Sequence, residues 1–78
     1  MANVKIYTTP PCVYCKMAKA YFKENSIEYK EVDVASDLKA RQEMIEKSGT
    51  IGVPVIEIDG KIIVGFGRPR IAEALGLN

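Results

Sequence analysis

The sequence predicts an α/β fold in which one four-stranded mixed sheet is flanked by three helices, in the order β, α, β, α, β, β, α. Three observations carry this. Strand-like stretches at 4–8 and 27–34 are each followed by a segment of helical character. Asp59-Gly60 separates two short apolar runs in a way that suits a hairpin. Pro69 opens a last amphipathic segment. A right-handed crossover through a helix lays successive strands side by side, so the first two strands run parallel and the hairpin adds an antiparallel edge. Helices on both faces then cover the sheet.

Taken in order, Val4-Lys5-Ile6-Tyr7-Thr8 alternates apolar and polar in β-forming residue types. Thr9-Pro10-Pro11 ends it, because proline supplies no ladder donor. From Val13 to about Asn25, Val13, Met17, Ala20 and Tyr21 recur at i, i+4, i+7 and i+8, which is one apolar face of a helix. Ile27 to Val34 reads as the second strand, with Ile27, Tyr29 and Glu31 on one face and Val32 and Val34 on the other. Ser36 is placed to cap a helix from Asp37 to about Lys47, and Gly49 to terminate it. Leu38, Met44 and Ile45 are its expected core residues. The hairpin pairs Pro54–Ile58 with Lys61–Val64. Pro69 is expected at the first helical position of a segment whose apolar face is Ile71, Ala72, Ala74 and Leu75.

Composition bounds the function. At 78 residues the chain has room for one core, so residues 1–78 are expected to form a single domain. Eleven Lys and Arg are dispersed among ten acidic residues, for a net charge of +1, which argues against nucleic acid or an anionic membrane as partner. No apolar run approaches the roughly 20 residues of a spanning helix, and residues 1–5 show no apolar leader pattern. The expected location is the cytoplasm. Nothing in the sequence calls for association, so a monomer is expected.

The two cysteines, Cys12 and Cys15, lie three positions apart, so a bridge between them closes a very small loop and constrains the unfolded chain little. That usage suits chemistry in a reducing compartment better than a structural staple. Cys12 falls where a loop hands over to a helix, beside backbone N–H groups that have no helical partner and that stabilise a thiolate. Cys15 is one turn further on, able to attack a mixed disulfide at Cys12. The same spacing is also half of a metal site, but zinc needs more ligands and the chain has no histidine and no third cysteine. Without histidine, activation falls to the helix end and to cations, with Lys16 and Lys19 the candidates.

Tyr7-Thr8-Thr9-Pro10-Pro11-Cys12-Val13-Tyr14-Cys15 resembles the active-site segment of glutaredoxins. Thr50-Ile51-Gly52-Val53-Pro54 resembles that family's Thr-Val-Pro segment, and Ile58-Asp59-Gly60 and Gly65-Phe66 match its hairpin and the turn that follows. The resemblance covers nearly the whole chain and implies a thioredoxin-like, glutaredoxin-type fold. It implies Cys12 and Cys15 as the catalytic pair of a thiol–disulfide oxidoreductase with no bound cofactor and no metal. It further implies a substrate-binding set of Pro11, Val13, Tyr14, Val53, Pro54, Gly65, Phe66, Gly67 and Arg68. Within that set Val53 offers its backbone to the substrate, a cis Pro54 lies against the cysteines, and the Tyr14 ring lines the groove.

The pattern departs from glutaredoxins in two places. Where the family carries a lysine two residues after the strand tyrosine, this chain has Thr9, and the turn Gly65-Phe66-Gly67-Arg68-Pro69 holds no acid for the glutathione amino group. Gly-Phe followed by Arg-Pro is similar to the tail of NrdH-type redoxins, which reduce ribonucleotide reductase and are reduced by thioredoxin reductase; Gly67 is an insertion in that pattern. Disulfide-containing proteins are the expected partners, with glutathione or thioredoxin reductase as electron source. A different class of function, an iron–sulfur or metal centre bridging two chains through their thiolates, is the remaining alternative.

Overall fold

The computed structural model describes residues 3–77. Strands β1 (Val4–Thr8), β2 (Lys30–Asp33), β3 (Val55–Ile58) and β4 (Lys61–Val64) form one sheet in the order β2-β1-β3-β4. Helices α1 (Val13–Glu24), α2 (Leu38–Ser48) and α3 (Arg68–Leu75) connect and follow them. β1 and β2 are parallel, with Tyr7 opposite Val32, while β3 is antiparallel to both β1 and β4. The hairpin turns at Asp59 and Gly60, whose φ angles of 49° and 86° are both left-handed, as an Asp-Gly pair in a type I′ turn requires.

Alternation along the strands divides the core in two. Val4 and Ile6 of β1, with Ile56, Ile58 and Ile63, pack under Ala18 and Phe22 of α1 and Ile71 of α3. On the opposite face Tyr7, Val34 and Val55 pack against Met44 of α2. Each Val, Ile, Phe or Met among them stabilises the fold by about 1.5–3 kcal/mol through burial. The expected faces of the second strand hold: Ile27 and Tyr29 lie against the first cluster, Val32 and Val34 in the second.

Five expectations need correction. The buried face of α1 is Cys15, Ala18 and Phe22, whereas Val13 and Met17 stay 65% and 46% exposed. The helix carries two competing apolar stripes, and the sheet takes the one with the large Phe22 ring, which meets Tyr29 at 5.4 Å between centroids. The second strand pairs only over Lys30–Asp33, because residues before it close α1: Ile27 N–H donates to the Phe22 carbonyl at 2.8 Å. The α2 cap is Asp37, whose Oδ1 accepts from Ala40 N–H at 3.0 Å; Ser36 belongs to the preceding turn, its hydroxyl 3.5 Å from the Asp33 carbonyl. Leu38 is 73% exposed because it lies six residues before Met44, about 120° away around the helix. Pro69 is the second rather than the first residue of α3, behind the N-cap Gly67.

A charged latch closes the α2 face. Glu43 Oε1 accepts from the hydroxyl of the fully buried Tyr7 at 2.9 Å and from Lys5 and Lys47 at 3.1 Å each, and Lys47 also reaches Glu57 at 2.9 Å. The Tyr7 hydrogen bond, then Lys47 and Lys5, hold the Glu43 carboxyl at about 2 instead of 4.5. Lys19, and also Thr8, lower Glu31 in the same direction. A depressed carboxyl contributes stability that is complete above its unfolded value and lost as pH falls toward its folded one. Denaturation midpoints are therefore expected to fall between about pH 4.5 and 2, and Glu43→Gln to be less stable at neutral pH with a flatter acid limb. An unchanged limb in the variant would show that the latch contributes nothing.

Candidate functional site

β1 delivers the chain to the site. After Thr8 a tight turn closes with Cys12 N–H donating to the Thr9 carbonyl at 3.2 Å, so Pro10 and Pro11 sit where no donor is needed. Cys12, extended at φ −78° and ψ 110°, is the N-cap of α1. Its Sγ accepts from the backbone N–H of Cys15 at 3.1 Å, the role an Asp or Ser oxygen plays at an ordinary helix start. A helix N-terminus therefore points at this sulfur, with its partial positive charge and its free donors. Cys12 and Cys15 are joined as a disulfide with Cα atoms 5.2 Å apart. Cys15 is 1% exposed and Cys12 half-buried, so attack from outside falls on Cys12.

Pro11, Val13 and Tyr14, the chain neighbours of the pair, are exposed, Tyr14 at 61%. The Val53–Pro54 peptide is cis and Pro54 is fully buried. Because Val55 pairs with Tyr7, one further step in register sets Pro54 beside Thr8, from which the cysteine loop departs. The Pro54 carbonyl accepts from Gly65 N–H at 2.8 Å, tying the turn after β4 to the same end of the sheet; Gly65 has φ 82°, where a side chain would be strained. Val53 is half-buried over the α2-side core.

Phe66 and Arg68 turn elsewhere. Phe66 meets the Tyr21 ring edge-on at 6.0 Å, and the Arg68 guanidinium lies 5.2 Å over that ring, two turns along α1 from the cysteines. Lys19 is committed to Glu31 at 2.7 Å, with Thr8 Oγ1 donating to the same carboxylate oxygen at 3.1 Å. Lys16 has no carboxylate partner among the described residues and remains the cation near the pair. Sequence reasoning missed the Thr8–Glu31–Lys19 cluster, in which Glu31 lies 23 and 12 residues from its partners. Among the described residues no three His, Cys, Asp or Glu side chains gather as a metal would need, and no helix is long and apolar enough to cross a membrane.

A strand that hands a cysteine to a helix N-terminus, with a second, buried cysteine bonded to it and a cis proline beside the same strand end, defines a dithiol redox module of thioredoxin-like fold. The chain belongs to the glutaredoxin family: residues 4–63 match the family model described as glutaredoxin. It is 52% identical over 72 residues to a glutaredoxin-like 8.6 kDa protein of the rubredoxin operon of Clostridium pasteurianum, covering 92% of this chain and 96% of that one. It is 42% identical over 76 residues to glutaredoxin 3 of Escherichia coli K12, covering 97% and 92% respectively. Its fold superposes on the Escherichia coli NrdH-redoxin, a glutaredoxin-like protein described as having a thioredoxin-like activity profile, with TM-score 0.79 and 25% identity over 94% of this chain and 93% of that one. Family and cysteine pair together make the chain a thiol–disulfide oxidoreductase in the general sense.

Proposed function

We propose that this single-domain protein is a monomeric, cytoplasmic dithiol oxidoreductase that reduces protein or low-molecular-weight disulfides through Cys12 and Cys15. The observation that carries this reading is the 3.1 Å hydrogen bond from Cys15 N–H to Cys12 Sγ at the start of α1. In the reduced protein that donor favours the Cys12 thiolate. The thiolate attacks one sulfur of the substrate disulfide, forming a Cys12 mixed disulfide and expelling the first thiolate. Cys15, as thiolate, then attacks Cys12 Sγ, expels the second substrate thiolate and leaves the intramolecular disulfide. Two electrons pass to the substrate, and each released thiolate takes up a proton. Pro11, Val13 and Tyr14 flank the incoming disulfide, while Val53, cis Pro54 and Gly65 hold the segment that bears it.

Glutathione is one source of the returning electrons. A second reading, return by thioredoxin reductase as in NrdH-type redoxins, is favoured by the turn at 65–69. It offers no carboxylate to an ammonium group, and its Arg68 is stacked on Tyr21. NADPH consumption with bis(2-hydroxyethyl) disulfide separates the two, comparing glutathione plus glutathione reductase with thioredoxin reductase. Turnover with one supply assigns the donor. Failure with both, and with dithiothreitol as well, sinks the oxidoreductase reading.

A further inference from the structure

The segment between α2 and β3 carries a scaffold of its own, built from two hydroxyls. Gly49, at φ 74°, closes α2 with its N–H donating to the Ile45 carbonyl at 2.8 Å. The Ser48 hydroxyl donates to the Met44 carbonyl at 2.7 Å and accepts from Thr50 N–H at 3.3 Å, which ties the departing chain back onto the helix. Thr50 Oγ1 in turn accepts from Gly52 N–H at 3.1 Å, a side chain-to-backbone turn that fixes the residue immediately before Val53. Met44 closes the circuit, because its side chain belongs to the buried cluster of Tyr7, Val34 and Val55 against which the Val53 side chain packs. Val53 is thus held twice, through its chain neighbour and through its side chain. Its own backbone N–H and carbonyl nevertheless have no hydrogen-bond partner among the described residues. A free donor and acceptor on one fixed residue are what an extended peptide backbone pairs with.

We propose that Ser48 and Thr50 are positioning residues, whose hydroxyls hold the chain up to Gly52 so that Val53 presents its free N–H and carbonyl to the backbone of a disulfide-bearing peptide segment. The inference rests on the oxidoreductase reading and deepens it: recognition of peptide substrates, and not of small disulfides, depends on two hydroxyls that take no part in the exchange. The physical reason is entropic. A segment already fixed before binding loses little freedom when a substrate pairs with it, whereas a loose one must be ordered at the expense of affinity. The exchange itself draws on Cys12 and Cys15 alone, so the limiting rate is independent of both hydroxyls.

Thr50→Val removes one hydroxyl and nearly keeps the shape, and Ser48→Ala removes the other while favouring the helix. The probes are a synthetic peptide with one intramolecular disulfide and bis(2-hydroxyethyl) disulfide, which has no peptide backbone to pair. Turnover is followed with the electron supply that the wild type accepts, and Tm is measured alongside. For the peptide, each variant is expected to raise KM about fivefold with kcat unchanged, the signature of lost binding that leaves the exchange intact. For the small disulfide both constants should match the wild type. Thr50→Ser keeps the hydroxyl and should restore the peptide KM. An unchanged peptide KM in both variants, with only Tm lowered, makes the pair structural and overturns the proposal. A rise in KM shared equally by the small disulfide overturns it too, as does a Thr50→Ser variant that behaves like Thr50→Val. Loss of small-disulfide turnover in the wild type is a different failure, because it removes the oxidoreductase reading on which this one stands.

Discussion

Serine in place of Cys12 is expected to lower disulfide turnover by roughly a thousandfold or more, because no other group of the chain can make the first bond. Cys15 is buried to 1% exposure and bonded to Cys12, and the sequence contains no third thiol. The thiolate is the attacking species, and an ordinary cysteine is only roughly 3% thiolate at pH 7, whereas one titrating near 6 is roughly 90% ionised. The backbone donor at 3.1 Å from Cys12 Sγ favours the thiolate once the pair is reduced. Alkylation of the reduced protein by iodoacetamide should accordingly remain fast well below pH 8.5. Cys15→Ser should separate the two steps: the first attack survives, and a stable mixed disulfide accumulates, visible as the added mass of the substrate thiol. Only an external thiol such as glutathione could then resolve it. If Cys12→Ser keeps its activity, or Cys15→Ser forms no adduct with any disulfide, the order of attack is wrong.

The sequence made the topology legible because its punctuation is local. Asp59-Gly60, Gly49 and Thr9-Pro10-Pro11 each fix a turn or terminus through the backbone alone, and the chain turns at all three. The sulfur at the start of α1 was legible for the same reason, since proline residues followed by helical spacing define an N-terminus whatever packs around it. Which face of a helix is buried is not a local property. Val13, Met17, Ala20 and Tyr21 satisfy the helical period as well as Cys15, Ala18 and Phe22 do, and only the packing of β1, β3, β4 and α3 decides between them. The cap at Asp37 was ambiguous in a similar way, because Ser36 and Asp37 are adjacent and both can cap; the choice followed from Asp33, whose Oδ1 takes Ala35 N–H at 2.8 Å and draws Ser36 into the earlier turn. Glu43 and Glu31 gave no sign of Lys5 and Lys19, which are 38 and 12 residues away from them.

That ambiguity in α1 yields the second large effect, because the two faces predict opposite outcomes for one pair of substitutions. Phe22 is fully buried, with its ring 5.4 Å from Tyr29 and 6.3 Å from Tyr21, so Phe22→Ala is expected to cost about 3–5 kcal/mol. Met17 is 46% exposed, so Met17→Ala should fall within about 0.5 kcal/mol of the wild type. A domain of this size has about 4–12 kcal/mol in total, and each kcal/mol moves Tm by about 4–8 °C, so the first change removes a large share of stability and the second almost none. Because Phe22 lies on the same face as Cys15, its loss also loosens the helix that aims the backbone donor at Cys12. The thiol of Phe22→Ala should then become less reactive at low pH even where the variant remains folded. Urea denaturation of both variants, with alkylation rates measured below the unfolding transition, reads the two effects separately. A large loss in Met17→Ala beside a small one in Phe22→Ala would mean that α1 packs on its other face and that Cys15 is exposed.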